Sequence, residues 1–230
     1  MSYVSEILPP LLQGAVVSVE LFVITLVLAL PLGLPFAFGE MSRFRPIRWI
    51  CKVFVFVFRG TPLMLQLFFF YFFFPLVLNI DIPAFPAAVL TFVLNYAAYF
   101  AEIYRGGILS IDRGQYEAAH SLGLSRSQTT FGIIVPQAMR VVLPPVSNEA
   151  ITLVKDTALA SVISMSEMMR VSEGIVNRDY NLTAYVVAAA LYLFFTVILT
   201  LVLNHVEARF STYTRRENEH VRNSGNEKNQ

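Results

Sequence analysis

Charge is scarce in this chain. Only 14% of its 230 residues are Asp, Glu, Lys or Arg, whereas a water-soluble domain carries roughly a quarter. Hydrophobic residues make up 56%, and the mean hydropathy of +0.59 points to a bilayer rather than to water. Cysteine is nearly absent: Cys51 stands alone, so an internal disulfide is excluded. Neither sign of charge dominates, because 17 basic residues meet 16 acidic ones, and no basic face for nucleic acid is expected. The phosphate-loop pattern G-x-x-x-x-G-K-[ST] is missing, as are G-x-S-x-G and H-E-x-x-H, and His120, His205 and His220 lack metal-ligand spacing. No catalytic residue, metal site or cofactor is therefore expected, and any ATP chemistry must belong to a partner. The opening "MSYVSEILPP" has no basic stretch ahead of its apolar run and no small-residue cleavage site, so it does not read as a removable signal peptide.

Long apolar runs are what the chain does have. Ala15 to Phe38 contains one charge, Glu20, and at about 1.5 Å per residue is long enough to cross a hydrocarbon core roughly 30 Å thick. A second run, Val53 to Ile80, is interrupted by "RGTP" at Arg59 to Pro62, where Thr61 is expected to cap and Pro62 to open a helix continuing to Leu78. Phe85 to Ala101 and Ala184 to Leu203 are uncharged spans. Between them lies Val141 to Met165, with Pro144, Pro145, Glu149, Lys155 and Asp156. Three ionisable groups facing lipid would cost about 9 kcal/mol at roughly 3 kcal/mol each. This segment is therefore read as a fourth span whose polar side is covered by protein or lines a wet cavity.

Thirteen of the 17 basic residues fall in three places. Arg43, Arg45, Arg48 and Lys52 follow span one; Arg105, Arg113, Arg126 and Arg140 separate spans three and four; Arg209, Arg215, Arg216, Arg222 and Lys228 follow span five. With five spans all three places share one side, which the positive-inside rule makes cytoplasmic. The expected fold is an all-α integral membrane protein of about five transmembrane helices, N-terminus outside and C-terminus cytoplasmic. Residues 1–210 form the transmembrane domain, and 211–230 form a polar cytoplasmic tail, expected to be disordered.

The cytoplasmic loop between spans three and four contains "EAAHSLGLSRS" at Glu117 to Ser127. Asp112 followed by Gln115, and Ser125 followed by Gln128, predict capping boxes, and Gly123 suits a left-handed helix end. Two short helices joined at a glycine are expected, with Ala118 and Leu122 on one face, Ala119 alongside and Glu117 beside them.

Polar stripes also run inside the spans. Asn95, Tyr99 and Glu102 recur at helical spacing, as do Asn148, Thr152 and Lys155, while Glu149 and Asp156 lie two turns apart. Glu102, Asp156, Asn95 and Thr152 are the candidate substrate contacts, since an intramembrane carboxylate is a seat for an ammonium group. The competing reading is structural: Glu102 pairing with Arg105, and Asp156 with Arg59.

"EAAHSLGLSRSQTTFGIIVP" closely resembles the EAA loop of ABC importer permeases, through Glu117, Ala118, Ala119, Gly123, Ile133 and Pro136, with Val135 where the family has leucine. "FRGTPLMLQLFFFYF", "NYAAYFAEIYRGGILSIDRGQYEAA" and "LPPVSNEAITLVKDTALASVIS" resemble the polar amino acid branch, the permeases for histidine, glutamate, glutamine, arginine or opines. The resemblance implies a multi-pass subunit of a bacterial inner membrane that pairs with an identical or sister permease chain. It also implies two cytoplasmic ABC ATPase subunits, docked on a coupling helix between spans three and four, and an extracellular or periplasmic binding protein that delivers an amino acid. Glu117, Ala118, Ala119, Gly123 and Pro136 would carry the coupling. An ion-coupled carrier or channel without an ATPase is the alternative from another class; against it, no inverted repeat is visible.

Overall fold

Small side chains decide where the helices of this chain meet. The computed structural model describes the backbone of residues 2–227 and the side chains of 3–209; the polar tail expected over 211–230 lies outside the described side chains. α4 (Ala84–Leu109) presents Ala87, Ala88, Ala97, Ala98 and Ala101, all buried, and α1 (Ser2–Glu40) packs along it. At Gly33 of α1 an added Cβ would lie 2.9 Å from the Cβ of Phe100, so only glycine permits this approach. In lipid the apolar surface gains nothing by leaving the tails, so close van der Waals packing of this kind is what joins helices.

Around that pair lie α2 (Arg45–Gly60), α3 (Leu63–Leu78), α7 (Val135–Asp156), α8 (Met168–Asp179) and α9 (Thr183–Glu227), and the described residues form no strand. The principal core joins Leu21 and Ala29 of α1 to Leu67 of α3, Phe92, Tyr96 and Phe100 of α4, and Leu153 of α7. Of the most apolar window of each long helix, 61% is buried in α4, 28% in α1 and 6% in α9. α4 is thus the central helix, and α9 lies outermost, with its apolar surface left for lipid.

Among the described residues three helices are long and apolar enough to cross a membrane, or four spans result if α2 and α3 together form one bent span; α7, with its charges, is not among them. The second apolar run differs from expectation. α2 begins at Arg45, and the chain turns by 109° between α2 and α3. Thr61 does not cap α3: it ends α2, with its hydroxyl donating back to the Val57 carbonyl at 2.8 Å, and Pro62 occupies the N-cap position of α3. The Val57 carbonyl takes both the Thr61 N–H, at 3.1 Å, and its hydroxyl, so the threonine closes the helix behind it rather than opening the one ahead.

α1 is also longer than expected, running through Pro9, Pro10, Pro31 and Pro35. The fourth run starts at Val135 and tightens after Asp156 into a 3-10 turn, Thr157–Ile163, closed by Ser164 at φ 61°.

The loop forms α5 (Arg113–Ser121) and α6 (Arg126–Thr129). Asp112 caps α5 by accepting from the Gly114 N–H at 2.6 Å, whereas the Gln115 side chain does not return to it and instead accepts from Gln137 of α7 at 3.1 Å. The Ser125–Gln128 box is complete, and Gly123 adopts φ +71° as expected. A single π-helical turn, Thr130–Ile134, then precedes α7, with the Val135 N–H reaching the Thr130 carbonyl. Pro136, which has no N–H, accounts for the widening: an α-helical turn would force its ring against the carbonyl four residues back.

Candidate functional site

The break between α2 and α3 opens one wall of a cavity of about 450 Å³. Arg59, Thr61 and Pro62 come from the break, Asn95, Tyr96 and Tyr99 from α4, and Glu149, Thr152 and Asp156 from α7. Asp156 accepts from the Tyr96 hydroxyl at 2.8 Å, and the Arg59 guanidinium lies 5.3 Å from the centre of the Tyr99 ring, a cation–π distance. Glu149 lines the same cavity from α7. The Thr152 hydroxyl donates to the Asn148 carbonyl at 3.1 Å. Two further hollows, of about 200 and 490 Å³, lie against α1 and Phe195 of α9 and are walled mostly by apolar side chains.

Chemically the polar cavity offers two carboxylates, one guanidinium, threonine and tyrosine hydroxyls and aromatic faces. A guanidinium suits a planar carboxylate and a carboxylate suits an ammonium, so the set is complementary to the two charged groups of an amino acid.

Three of the four expected substrate contacts, Asn95, Thr152 and Asp156, therefore share this cavity. Glu102 does not. Its carboxylate is held by Arg105, whose Nε donates to it at 2.9 Å, and Arg105 also lies 3.7 Å from the buried Glu40 at the end of α1. Asp156 makes no ion pair with Arg59 among the described residues; Tyr96 is its partner. Asn95 lines the cavity, but its amide nitrogen is engaged elsewhere, donating to the Phe58 carbonyl and to Gln66.

Gln66 and Glu167 escaped the sequence reading. Gln66 is a lone amide in the apolar run "LMLQLFFFYFFF", and that isolation was the available signal. Glu167, fully buried, caps α8 by accepting from the Met169 and Arg170 N–H groups at 2.7 and 2.6 Å, and accepts from Tyr192 of α9 at 2.9 Å. It also lies 3.4 Å from the Ser18 hydroxyl of α1.

On the loop, Ala119 is buried against the chain, while Glu117, Ala118 and Gly123 are exposed and Leu122 is 78% exposed. Pro136 lies in the first turn of α7. The loop thus presents a small-residue, partly apolar surface left uncovered by the described residues.

A family model described as the binding-protein-dependent transport system inner membrane component matches residues 29–212. The L-cystine transport system permease protein TcyB of Bacillus subtilis is 40% identical over 207 residues, covering 89% of this chain and 88% of its own length. The arginine transport system permease protein ArtQ of the same organism is 37% identical over 206 residues, covering 89% and 94%. Among solved structures, an amino acid ABC transporter crystallised with histidines superposes with a TM-score of 0.84 at 33% identity, over 90% of this chain and 97% of its own. An inward-facing MetNI methionine ABC transporter shares the fold, with a TM-score of 0.69 at 16% identity over 89% and 95%.

Proposed function

This chain belongs to the binding-protein-dependent transport system inner membrane components, and from that premise we propose that it is the membrane permease subunit of an ATP-driven amino acid importer, with the cavity at the α2–α3 break in its substrate path. The observation that carries the reading is the meeting of Arg59, Glu149 and Asp156 in one cavity. Arg59 receives the substrate carboxylate, and Asp156 and Glu149 receive its ammonium; Thr152 and Asn95 complete the wall. A zwitterionic or cationic amino acid fits this set. Glu102 acts beside the path, holding Arg105 between α4 and Glu40 of α1.

The same cavity accounts for two of the four charges in α7, since Glu149 and Asp156 line it rather than facing lipid. With α7 taken as a span and α2–α3 as one bent span, the chain crosses the inner membrane about five times. The N-terminus is outside, and α5 lies on the cytoplasmic side. Lys155 and Asn148 remain exposed on α7. A lysine facing lipid costs roughly 3 kcal/mol, which supports a second permease chain, identical or sister, covering that face.

ATP hydrolysis resides in two cytoplasmic ATPase subunits seated on the coupling helix α5. Glu117, Ala118, Ala119, Gly123 and Pro136 form or brace the contact, and the π-turn and α7 carry its motion toward Glu149 and Asp156. An external binding protein delivers the amino acid. The test is uptake by the complex reconstituted in liposomes with its ATPase and binding protein. Asp156→Asn and Arg59→Ala should each raise the half-saturating substrate concentration roughly tenfold or more. Wild-type values in both variants would remove the cavity from the path.

A further inference from the structure

Where the chain breaks between α2 and α3, it leaves backbone carbonyls without helical partners. In a continuous helix the Phe58 carbonyl would accept from the N–H of residue 62, but residue 62 is proline and has none. In a bilayer an unpaired carbonyl costs several kcal/mol, so something must supply the donor. The Gln66 side chain does so: the two protons of its amide nitrogen are shared among the Phe58 carbonyl at 2.9 Å, the Thr61 carbonyl at 3.1 Å and the Thr61 hydroxyl at 2.8 Å. Asn95 of α4 adds a second donor to Phe58 at 3.0 Å and also donates to the Gln66 amide oxygen at 3.0 Å, which fixes how the Gln66 amide is turned. Both amides are buried, with 7% and 4% of their surface exposed.

We propose that Gln66, oriented by Asn95, is a positioning residue that holds the helix break in its 109° bend and thereby keeps Arg59 in the cavity wall. Arg59 is the next residue after Phe58, so whatever fixes the Phe58 carbonyl fixes the direction in which the Arg59 side chain leaves the helix. Tyr99 lies one turn beyond Asn95 on the same face of α4 and stacks beneath the guanidinium. α4 therefore grips the break twice, at its backbone through Asn95 and at its charge through Tyr99. Because α4 leads directly into the segment that caps α5, a movement of α4 reaches Arg59 through these two contacts.

This inference rests on the placement of Arg59 in the substrate path, and the test separates the two. In the reconstituted complex, uptake is measured with L-arginine, L-glutamine and L-cystine as probes. Gln66→Met keeps the side-chain volume and removes the donors. It should raise the half-saturating concentration roughly tenfold, with a smaller fall in maximal rate. Combined with Arg59→Ala, it should add no more than about twofold to the effect of Arg59→Ala alone, because both act through one guanidinium.

A second measurement needs no knowledge of the substrate. Gly60 and Gly106 each have open space where a Cβ would stand, so both accept a labelled cysteine once Cys51 is replaced by alanine. Spin labels at those positions should show one narrow distance distribution in the parent and a broad one with Gln66→Met. An unchanged half-saturation, additivity with Arg59→Ala, or an unchanged narrow distribution would each overturn the proposal. If Gln66→Met does not assemble, Asn95→Leu, which removes both amide donors of Asn95 without adding charge and leaves Gln66 in place, takes its place; failure of both to assemble would make the network a folding determinant and overturn the positioning role. Wild-type behaviour of Arg59→Ala would instead defeat the reading on which the inference rests.

Discussion

Asp156 and Glu167 meet the demands of a buried carboxylate differently. Asp156 has one described hydrogen-bond partner, Tyr96, and otherwise faces the cavity, which leaves it able to accept from a ligand. Glu167 is saturated: two backbone N–H groups, a tyrosine and a serine surround it, and α1, α8 and α9 meet at its side chain. The first arrangement suits binding and the second suits structure. Glu167→Ala is expected to lose a helix cap, worth about 1 kcal/mol, and to strand the Tyr192 hydroxyl, at about 1–3 kcal/mol more. Thermal unfolding of the complex should show a lower melting temperature for Glu167→Ala, whereas Asp156→Asn should leave the melting temperature within a degree or two and alter substrate affinity instead. The reverse pattern would exchange the two roles.

At the scale of elements, the loop and α8 lead to separate predictions. Gly123 at φ +71° admits a left-handed turn that a β-branched residue resists by about 1–2 kcal/mol, so Gly123→Val should misalign α5 against α6. Measured uptake should fall by more than half while ATP hydrolysis by the complex persists. α8 is tied back to the start of α1 where the Tyr3 hydroxyl donates to Asp179 at 2.8 Å. The Arg178 guanidinium beside Asp179, followed by that hydroxyl, lowers the carboxyl to about 2, below the usual carboxylate range. A depressed folded value means the stabilisation is complete above the unfolded value and is lost only as pH falls through the folded one. Asp179→Asn should therefore lower the melting temperature equally at pH 5 and pH 8, and a difference between those two would contradict the assignment.

Elements whose ends are set by local chemistry were legible in the sequence, as Gly123 and the Ser125–Gln128 box demonstrate. The α2–α3 break was visible as "RGTP", but its partners were not. Gln66 lies five residues beyond Thr61 and Asn95 lies on another helix, so which amide meets which carbonyl depends on packing that no local pattern records. Glu102 illustrates the opposite limit: helical spacing placed it with Asn95 and Tyr99, and an arginine one turn away captured it.

Across the whole molecule, a central alanine-rich helix links the polar cavity at one level to the loop at another. α4 contributes Asn95, Tyr96 and Tyr99 to the cavity and ends at Leu109, three residues before the cap of α5; α7 returns from the loop to carry Glu149 and Asp156. On the proposed coupling, a push on α5 would reach both polar walls through helices rather than through flexible chain. The ladder of exposed Asn148 and Lys155 on α7 predicts that the permease purifies as a pair, and cysteines introduced at Asn148 should cross-link between chains when that pair is two copies of this one. The most direct measurement is uptake and ATP hydrolysis side by side in proteoliposomes containing the complex with Glu117→Arg. Continued hydrolysis with uptake lost is the predicted result, whereas undiminished uptake, or uptake by this chain alone without ATP, would contradict the account.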